Sequence, residues 1–278
     1  MSQYMPPAIR RGLLGFSIPV YLLLYTPLAI IGIFSFAPSL GHSGANMAGY
    51  SELFADPQVM AALRRSLTLA IGSAMLGTLL GTLMGFGLSR FRPAKGGGIW
   101  VGTIPSLIIY LPIIMPSLVF GLSEMIFFNF VNQHTGLLSA GLLTMGIAHV
   151  TFQSPYVALV VYARLSGLDK HLFEASHDLY ANGFKSFVHL TIPVVRPALI
   201  GGFLLAITLS IDDFTISFFT AGPGSVTLPI YIYGAIARKG ASPEIDAIGS
   251  LMIGTVIGVA LLYHFVTRRH ERSIAVAA

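Results

Sequence analysis

The sequence predicts an all-α integral membrane protein with six transmembrane helices and both termini in the cytoplasm. Three observations predict this fold class: the composition, the length of the apolar runs and the placement of the basic residues. Of the 278 residues, 54% are hydrophobic and 10% are charged, whereas charged residues make up roughly 25% of an average soluble domain. Runs of about twenty apolar residues are typical of helices that cross a bilayer. We therefore expect lipid to be the main solvent of this chain.

Six apolar segments are long enough to span a membrane, and each is bounded by polar residues, glycine or proline. The first follows a basic pair, as in a secretory signal, but it is longer than the roughly 7 to 15 residues of a signal core. The predicted spans cover residues 12–36, 67–88, 99–122, 141–162, 197–219 and 247–266. Residues 1–278 are thus expected to form one transmembrane domain, with a cytoplasmic loop at 163–196 and an external segment at 221–246.

The basic residues set the predicted orientation, because short loops rich in lysine and arginine stay in the cytoplasm. With the N-terminus inside, four of the 16 basic residues lie outside, namely Arg64, Arg65, Arg238 and Lys239. The other twelve lie in the cytoplasm: Arg10, Arg11, Arg90, Arg92, Lys95, Arg164, Lys170, Lys185, Arg196, Arg268, Arg269 and Arg272. The opposite orientation would reverse this bias, so the sequence predicts an N-in, C-in topology.

Composition and motifs exclude several classes of function. The chain has no cysteine, so it has no disulfide framework, thiolate metal site or thiol nucleophile. No P-loop and no HExxH-like histidine spacing occur in the sequence, which argues against ATP hydrolysis by this chain and against a zinc protease. The basic residues are scattered and form no stripe for nucleic acid. We expect no catalytic residue, no metal and no cofactor.

Local signals predict structure in both long loops. In the cytoplasmic loop, Asp169 is a suitable N-cap for a first helix, the Asn182-Gly183 pair predicts a left-handed turn, and a second short helix is expected from Phe184 to before Pro193. In the external segment, two tripeptides have the cap and early proline of a helix start, and the second would open the sixth span. They are Thr227-Leu228-Pro229 and Ser242-Pro243-Glu244.

Glycines are frequent in the second predicted span, at positions 72, 77, 81, 85 and 87. Gly77, Gly81 and Gly85 follow one another at four-residue steps, which places them on one face of a helix. Small residues at this spacing let two membrane helices approach closely. We expect another span to pack against this face.

The cytoplasmic loop reads Glu174-Ala175-Ser176-His177-Asp178-Leu179-Tyr180, then nine residues, then Leu190-Thr191-Ile192-Pro193. This resembles the EAA loop of ABC-importer permeases, whose pattern is Glu-Ala-Ala, three residues, Gly, nine residues and Ile-x-Leu-Pro. In that family the loop forms a coupling helix that binds a separate ATPase subunit. The resemblance assigns this contact to Glu174, Ala175, Ser176, Asp178, Tyr180, Asn182, Gly183 and Pro193. The alternative is an ordinary amphipathic loop helix.

Two positions depart from the family pattern. Ser176 replaces the second alanine, and Tyr180 replaces the glycine. A bulky tyrosine is poorly suited to the positive φ angle that glycine adopts. We therefore expect the turn to shift to Gly183, which leaves the register of the coupling helix open.

Further motifs lie in the second half of the chain, in residues 210–225, 227–233 and 242–247, and at His149, Thr151, Phe152 and Pro155. These are similar to spermidine/putrescine permeases, in particular to the second of their two permease subunits. The similarity implies a type I ABC-importer permease (MetI-like) fold in the bacterial cytoplasmic (inner) membrane, with polyamines moved by alternating access. It implies as partners a second permease subunit, two cytoplasmic ABC ATPase subunits and an external, periplasmic solute-binding protein.

Asp212 and Asp213 are the main candidates for a solute pathway. Each carboxylate at bilayer depth costs roughly 2.5 to 3.5 kcal/mol on insertion scales, so neither is expected to face lipid. Helical spacing divides the neighbouring polar residues into two stripes, Thr208 with Asp212 and Thr215, and Ser210 with Asp213 and Ser217. Neighbouring positions on a helix point about 100° apart. One aspartate is thus predicted to line a pathway while the other pairs within the bundle, and the sequence leaves their assignment open.

Other side chains complete the predicted pathway for an ammonium-bearing solute. Glu124, near the outer end of the third span, adds a carboxylate. Phe214, Phe218 and Tyr231 offer cation–π contacts of about 0.5 to 2 kcal/mol each. A plainer interpretation is that serine and threonine hydroxyls cap both aspartates, which then only hold helices together.

Three alternative functions stay open at this level. A related permease for another small solute, such as an opine, an aminophosphonate or ferric ion, would have much the same sequence features. A secondary carrier that works without ATP would usually show internal repeats or broken helices in matching halves. A membrane enzyme would need a convergent nucleophile, base or metal set, which the sequence does not show.

Overall fold

The structure is a computed structural model that describes residues 7–36, 47–90, 100–240 and 244–258. Across these residues it is helical and contains no β-strand. The helices are α1 (Pro7–Phe34), α2 (Ala48–Ala55), α3 (Pro57–Arg90), α4 (Trp100–Ile114), α5 (Ser117–Thr135), α6 (Leu142–Ser166), α7 (Lys170–Asp178), α8 (Gly183–Ser186), α9 (Ile192–Ile211), α10 (Thr215–Thr220), α11 (Leu228–Lys239) and α12 (244–258). A π turn, Phe187–Thr191, joins α8 to α9.

The chain divides into two compact units, Met1–Met60 with Ile232–Ala278, and Ala61–Tyr231. In the first unit, the apolar stretch of α1 has none of its residues buried. A small polar contact lies at its end, where the Tyr50 hydroxyl is 2.9 Å from the Ser35 hydroxyl and 2.8 Å from that of Ser250. The long apolar surface of α1 is therefore exposed within this unit.

The core of the second unit lies where α3, α6 and α9 meet. Four fully buried aliphatic residues form its centre: Ala74, Val157, Val161 and Ala206. A Cβ atom added at Gly81 would lie 2.6 Å from the Ser154 carbonyl oxygen, and one at Gly85 would lie 2.6 Å from that of Ala158. The close helix contact predicted from the glycine spacing is confirmed, and its partner is α6.

The count of six spans is not confirmed. Among the described residues, three helices are long and apolar enough to cross a membrane, Arg11–Phe34, Pro57–Ser89 and Gly183–Ile211, and a bent pair could supply a fourth. Helix α6 has 25 residues but is not among them, because buried polar side chains such as His149 and Gln153 lower its hydropathy. The predicted sixth span is helical over 244–258, and its remainder lies outside the described residues.

The predicted third span, 99–122, is interrupted. Helix α4 ends at Ile114, α5 begins at Ser117, and the two helices are bent by 110°. Pro116 lies between them and has no N–H to donate to the preceding turn, which favours a break at this position. The prediction of one continuous helix was wrong here.

The predicted fifth span, 197–219, is also interrupted. Helix α9 starts earlier, at Ile192, and ends at Ile211, after which a short break precedes α10 at Thr215. The second helix of the cytoplasmic loop was predicted to end before Pro193. It instead runs through the π turn into α9. Pro193 is tolerated there because it falls at the first turn of α9. The external helix start predicted at residues 227–229 is confirmed by α11.

Candidate functional site

The break between α9 and α10 contains both candidate aspartates. Asp212 ends α9 and is exposed, whereas the side chain of Asp213 is 10% exposed. The Asp213 carboxylate accepts hydrogen bonds from the backbone N–H of Ile216 at 3.3 Å and of Ser217 at 2.8 Å. These are N–H groups of the first turn of α10, which have no partner within the helix. Asp213 therefore acts as the cap of α10.

This break corrects the two stripes drawn from helical spacing. The stripe from Thr208 through Asp212 to Thr215 is interrupted, because the helix stops after Ile211. The Thr208 hydroxyl instead donates to the carbonyl of Leu204 in its own helix, at 2.9 Å. The second set stays together, but it gathers around a side chain of another helix and not along one helix face.

That side chain is His149 of α6, which is 3% exposed. Its Nδ1 lies 2.7 Å from the Ser210 hydroxyl in the last turn of α9, and its Nε2 lies 2.9 Å from the Ser217 hydroxyl in α10. Nε2 also lies 3.5 Å from an Asp213 carboxylate oxygen. The Ser210 hydroxyl is in turn 3.3 Å from that of Ser73 in α3. Four helices thus share one buried polar network.

Glu124, in α5, lies at a separate cavity of about 370 Å³. This volume is within the range of small-molecule pockets, roughly 300 to 1,000 Å³. The glutamate is half-buried, and it is the only charged residue of the lining. The cavity is lined by Met115, Phe120, Ser123, Glu124, Phe127, Phe128, Ile147 and Thr151. It therefore combines a carboxylate with three aromatic rings, a combination that suits an organic cation.

The cavity and the helix break share an apolar wall. Phe120 and Phe128, which line the cavity, pack with Ile216 of α10 in one buried cluster. A Cβ atom added at Gly121 would lie 3.1 Å from the Cα of Ile216, so α5 and α10 are in close contact. A shift of α10 would consequently move the cavity wall beside Glu124.

The remaining predicted pathway residues are not among those that line this cavity. Phe214 lies in the break itself, with its ring centroid 5.3 Å from that of Phe218. Tyr231 is half-buried in the first turn of α11, where its N–H donates to the Thr227 carbonyl at 2.9 Å. Their pathway role stays a prediction. No group of three acidic or histidine side chains suited to a metal ion occurs in the part of the chain that the structure describes.

The predicted coupling loop forms a helical hairpin whose first helix is α7. Asp169 accepts a hydrogen bond from the His171 N–H at 3.0 Å, so its predicted capping role is confirmed. At the other end, Tyr180 has a φ of 57°, and the Ala181 N–H donates to the Ser176 carbonyl at 3.1 Å. This six-to-one bond is that of a Schellman motif. Tyr180 thus takes the left-handed conformation of the family glycine.

The expectation that Gly183 would take over the turn was therefore wrong. Gly183 is the first residue of α8, and Asn182 is extended and caps that helix by accepting the Lys185 N–H at 2.9 Å. The turn after α7 therefore lies at the glycine position of the EAA pattern, because a local hydrogen-bond motif outweighs the intrinsic cost of a positive φ for tyrosine.

The hairpin presents its tip to solvent. Tyr180 is 95% exposed and Leu179 is 81% exposed, and Glu174, Ala175 and Asp178 are exposed as well. Between the two arms, the Ser176 and Ser186 hydroxyls are 3.0 Å apart. The serine that departs from the family alanine thus ties the arms together.

Sequence reasoning missed two parts of the site. Phe120, Phe127 and Phe128 were not chosen, although they stand four residues before and three and four residues after Glu124 and so share its helix face. The hydrogen-bond partners of His149 were not identified either, because they lie 61 and 68 positions away in sequence. A helical wheel would have found the first set, while no local signal indicates the second.

Comparison with known proteins agrees with this architecture. Residues 77–276 match the model of a family described as the inner membrane component of binding-protein-dependent transport systems. The chain is 36% identical over 264 residues to the putrescine transport system permease protein PotI of Escherichia coli K12, covering 94% of this chain and 90% of the relative. It is 32% identical over 248 residues to the spermidine/putrescine permease protein PotC of the same strain, covering 88% and 89%.

Solved structures show the same fold. A chain of a bacterial ABC transporter that imports the acidic polysaccharide alginate matches with a TM-score of 0.71 over 94% of this chain and 97% of that chain. Its sequence identity is 15%, so this likeness concerns the fold alone. A second structure of an alginate transporter, in complex with its periplasmic protein, matches with a TM-score of 0.67.

Proposed function

Because the chain belongs to the family of inner-membrane components of binding-protein-dependent transport systems, we propose that it moves a polyamine, or a similar small cationic solute, into the cytoplasm. It is an inner-membrane permease subunit of an ABC importer. We further propose that ATP is hydrolysed by two separate cytoplasmic subunits. A second permease and an external binding protein complete the assembly.

The cavity at Glu124 is the observation that most directly supports a cationic solute. An ammonium group desolvated within a membrane protein needs a compensating charge. Glu124 supplies a carboxylate, and the faces of Phe120, Phe127 and Phe128 offer further attraction to a cation. An anionic solute would be repelled by this carboxylate, and a neutral solute would gain no charge attraction from it. The cavity thus favours a small organic cation over an acidic solute.

Asp212 is the second proposed contact for the solute. Of the two aspartates, Asp213 already caps α10 and lies beside His149, whereas Asp212 is exposed. A diamine has two charges several carbons apart, so two separate carboxylates suit it better than one. We assign the pathway role to Asp212 and Glu124, with Phe214 and Tyr231 as proposed aromatic contacts, and a positioning role to Asp213.

The α7–α8 hairpin is the proposed handle for the ATPase. Its exposed tip, with Leu179 and Tyr180, lies outside the apolar helices, and the capped ends of α7 and α8 make it a rigid unit. Helix α8 continues through a π turn into α9, whose far end is the aspartate break. A push on the hairpin would therefore reach the pathway through one continuous helix. This connection suits alternating access.

Uptake of labelled putrescine by cells or by proteoliposomes with the full transporter tests the pathway. Glu124→Gln and Asp212→Asn remove one charge each and are expected to lower uptake at least about tenfold, which corresponds to a loss of about 1.4 kcal/mol. Glu52→Gln, which neutralises an exposed carboxylate of α2, is the matched control and is expected to transport normally. Full activity of both pathway variants would refute the proposed site.

The ATPase contact is tested by cross-linking, which the absence of native cysteine simplifies. A single cysteine at Leu179, in the hairpin tip, is expected to capture the ATPase subunit in assembled membranes. A cysteine at His134, exposed at the last turn of α5, is on the opposite side in the predicted topology and serves as the control. Capture from position 134 but not from 179 would overturn both the orientation and the coupling role.

A further inference from the structure

One side chain bridges the two helices on either side of the aspartate break. His149 has a hydroxyl at each ring nitrogen, Ser210 of α9 at 2.7 Å and Ser217 of α10 at 2.9 Å. Helix α10 has six residues, too few to be stable without tertiary contacts. We propose that His149 is a positioning residue that clamps α9 to α10 and so fixes the backbone on which Asp212 is presented to the solute. The inference rests on the proposed role of Asp212.

The hydrogen-bond pattern indicates which ring nitrogen of His149 donates and which accepts. A neutral imidazole donates from one nitrogen and accepts at the other. With Asp213 3.5 Å from Nε2, the favourable tautomer has its proton on Nε2, facing the carboxylate and Ser217. Nδ1 then accepts from the Ser210 hydroxyl. The Ser210 oxygen in turn can accept from Ser73 of α3, 3.3 Å away, so the clamp is anchored to a third helix.

The clamp also gives the two adjacent carboxylates, Asp212 and Asp213, different roles. Asp213 faces inward, accepts the N–H groups of Ile216 and Ser217 and lies beside the His149 ring. A carboxylate that accepts these bonds is compensated and is not free to bind a passing cation. Asp212 follows the end of α9 on the exposed side. Holding Asp213 inward therefore holds Asp212 outward.

Apolar packing alone would not achieve this. Ile216 is 1% exposed and sits in a cluster with Phe120 and Phe128, which fixes α10 against α5. Among the described residues, none of the hydrophobic side chains of that cluster belongs to α9. The two ring nitrogens of His149 reach both sides of the break, and a hydrogen bond is directional where an apolar contact is not. The hydrogen bonds of His149 thus set the angle between α9 and α10, and the apolar cluster sets the distance between α5 and α10.

The test uses graded replacements at His149 in the assembled transporter. Glutamine reaches about as far as Nε2 and retains the bond toward α10, asparagine reaches only as far as Nδ1, and alanine retains neither. If the clamp positions Asp212, all three variants lower putrescine uptake: His149→Gln and His149→Asn in part, because each retains one of the two bonds, and His149→Ala the most. The maximal rate should fall while half-saturation by the loaded binding protein stays the same, because docking lies elsewhere.

A thiol-protection readout separates positioning from general damage. Ile216→Cys places a buried thiol in α10, and the chain has no other cysteine. In the His149→Ala background this thiol should react with a membrane-permeant maleimide about tenfold faster, the effect of one lost hydrogen bond to a charged group. Val157→Cys, a buried position in the α3–α6–α9 core with 0% exposure, is the matched control and should stay protected.

The outcomes decide between the alternatives. If His149→Asn and His149→Ala retain uptake and leave the thiol at 216 protected, the clamp does not exist. If the thiols at 216 and 157 become reactive together, His149 is a general core residue and the inference is wrong. The thiol readout does not depend on transport. A transporter in which Asp212→Asn is fully active, yet His149→Ala exposes position 216, would retain the clamp and refute only the pathway role of Asp212.

Discussion

Two apolar helical segments of this permease are interrupted, and the chain stabilises the two interruptions with different chemistry. Between α4 and α5, Pro116 stops the helix and the chain bends by 110°. No side chain caps the new helix there. Between α9 and α10, no proline is present, and the buried carboxylate of Asp213 caps the next helix with His149 beside it. The first break thus lies at a proline, and the second is stabilised by hydrogen bonds to a carboxylate.

The difference indicates which break has a function beyond shape. A proline terminates a helix without placing a charge in the bilayer. A carboxylate at the same depth is costly unless it is fully paired. A break that only had to redirect the chain could use proline, as the first does. The cost of the second break is understandable if the charges themselves are needed, with Asp213 holding the geometry and Asp212 meeting the solute.

The largest effect is expected from Asp213→Ala. This change removes the carboxylate beside His149 and the acceptor of two backbone N–H groups of α10, and each buried donor left unsatisfied costs about 1 to 3 kcal/mol. We expect a strongly lowered thermal unfolding midpoint of the assembled transporter and no putrescine uptake. Asp213→Asn, whose amide oxygen can still accept one backbone N–H, should recover part of the midpoint. Equal midpoints for both variants would show that Asp213 is not a cap.

A second, smaller effect tests whether the two breaks are mechanically linked. In Gly121→Ala the new methyl group would lie 3.1 Å from the Ile216 Cα and 3.3 Å from the Phe219 ring, so α10 must shift by a few tenths of an ångström. Overpacking of this kind costs about 1 to 3 kcal/mol. Gly146→Ala is the control, since its methyl group would meet only Leu69, at 3.9 Å, and alanine favours the helix. A lower midpoint for Gly121→Ala alone would establish the link.

The sequence predicted the helical membrane fold and the family correctly but not the two breaks. Hydropathy sums the apolar content of a window, and neither Pro116 nor the Asp212-Asp213 pair changes that sum enough to mark the end of a helix. The partners that hold the second break are far apart in the chain, because His149 and Ser210 are 61 positions apart. Tyr180 was misjudged for a different reason, because a local hydrogen-bond motif outweighed its intrinsic backbone preference.

A weaker effect is expected from Pro116→Ala, which probes the first break. Helix α5 is held by its packing on α10 at Gly121, so the bend should persist without the proline. Loss of proline loosens the unfolded chain and costs about 0.4 to 1 kcal/mol. The unfolding midpoint should fall slightly, and putrescine uptake should remain within about twofold, a change of under 0.5 kcal/mol in the barrier. Abolished uptake in a well-inserted variant would mean that the proline break also has a role in transport.

The smallest effect is expected from Thr208→Val, which separates the structure from simple helical spacing. The sequence places Thr208 on one stripe with Asp212, but its hydroxyl bonds the Leu204 carbonyl of its own helix and the stripe ends at the break. Valine retains the shape and removes only that bond. The free energy of unfolding should therefore change by no more than about 0.5 kcal/mol, and midpoint and uptake should stay close to those of the parent. Ser210→Ala, two residues on, removes the hydroxyl bonded to His149 and should lower both measurably. If Thr208→Val proved the more damaging of the two, α9 and α10 would act as one continuous helix during transport.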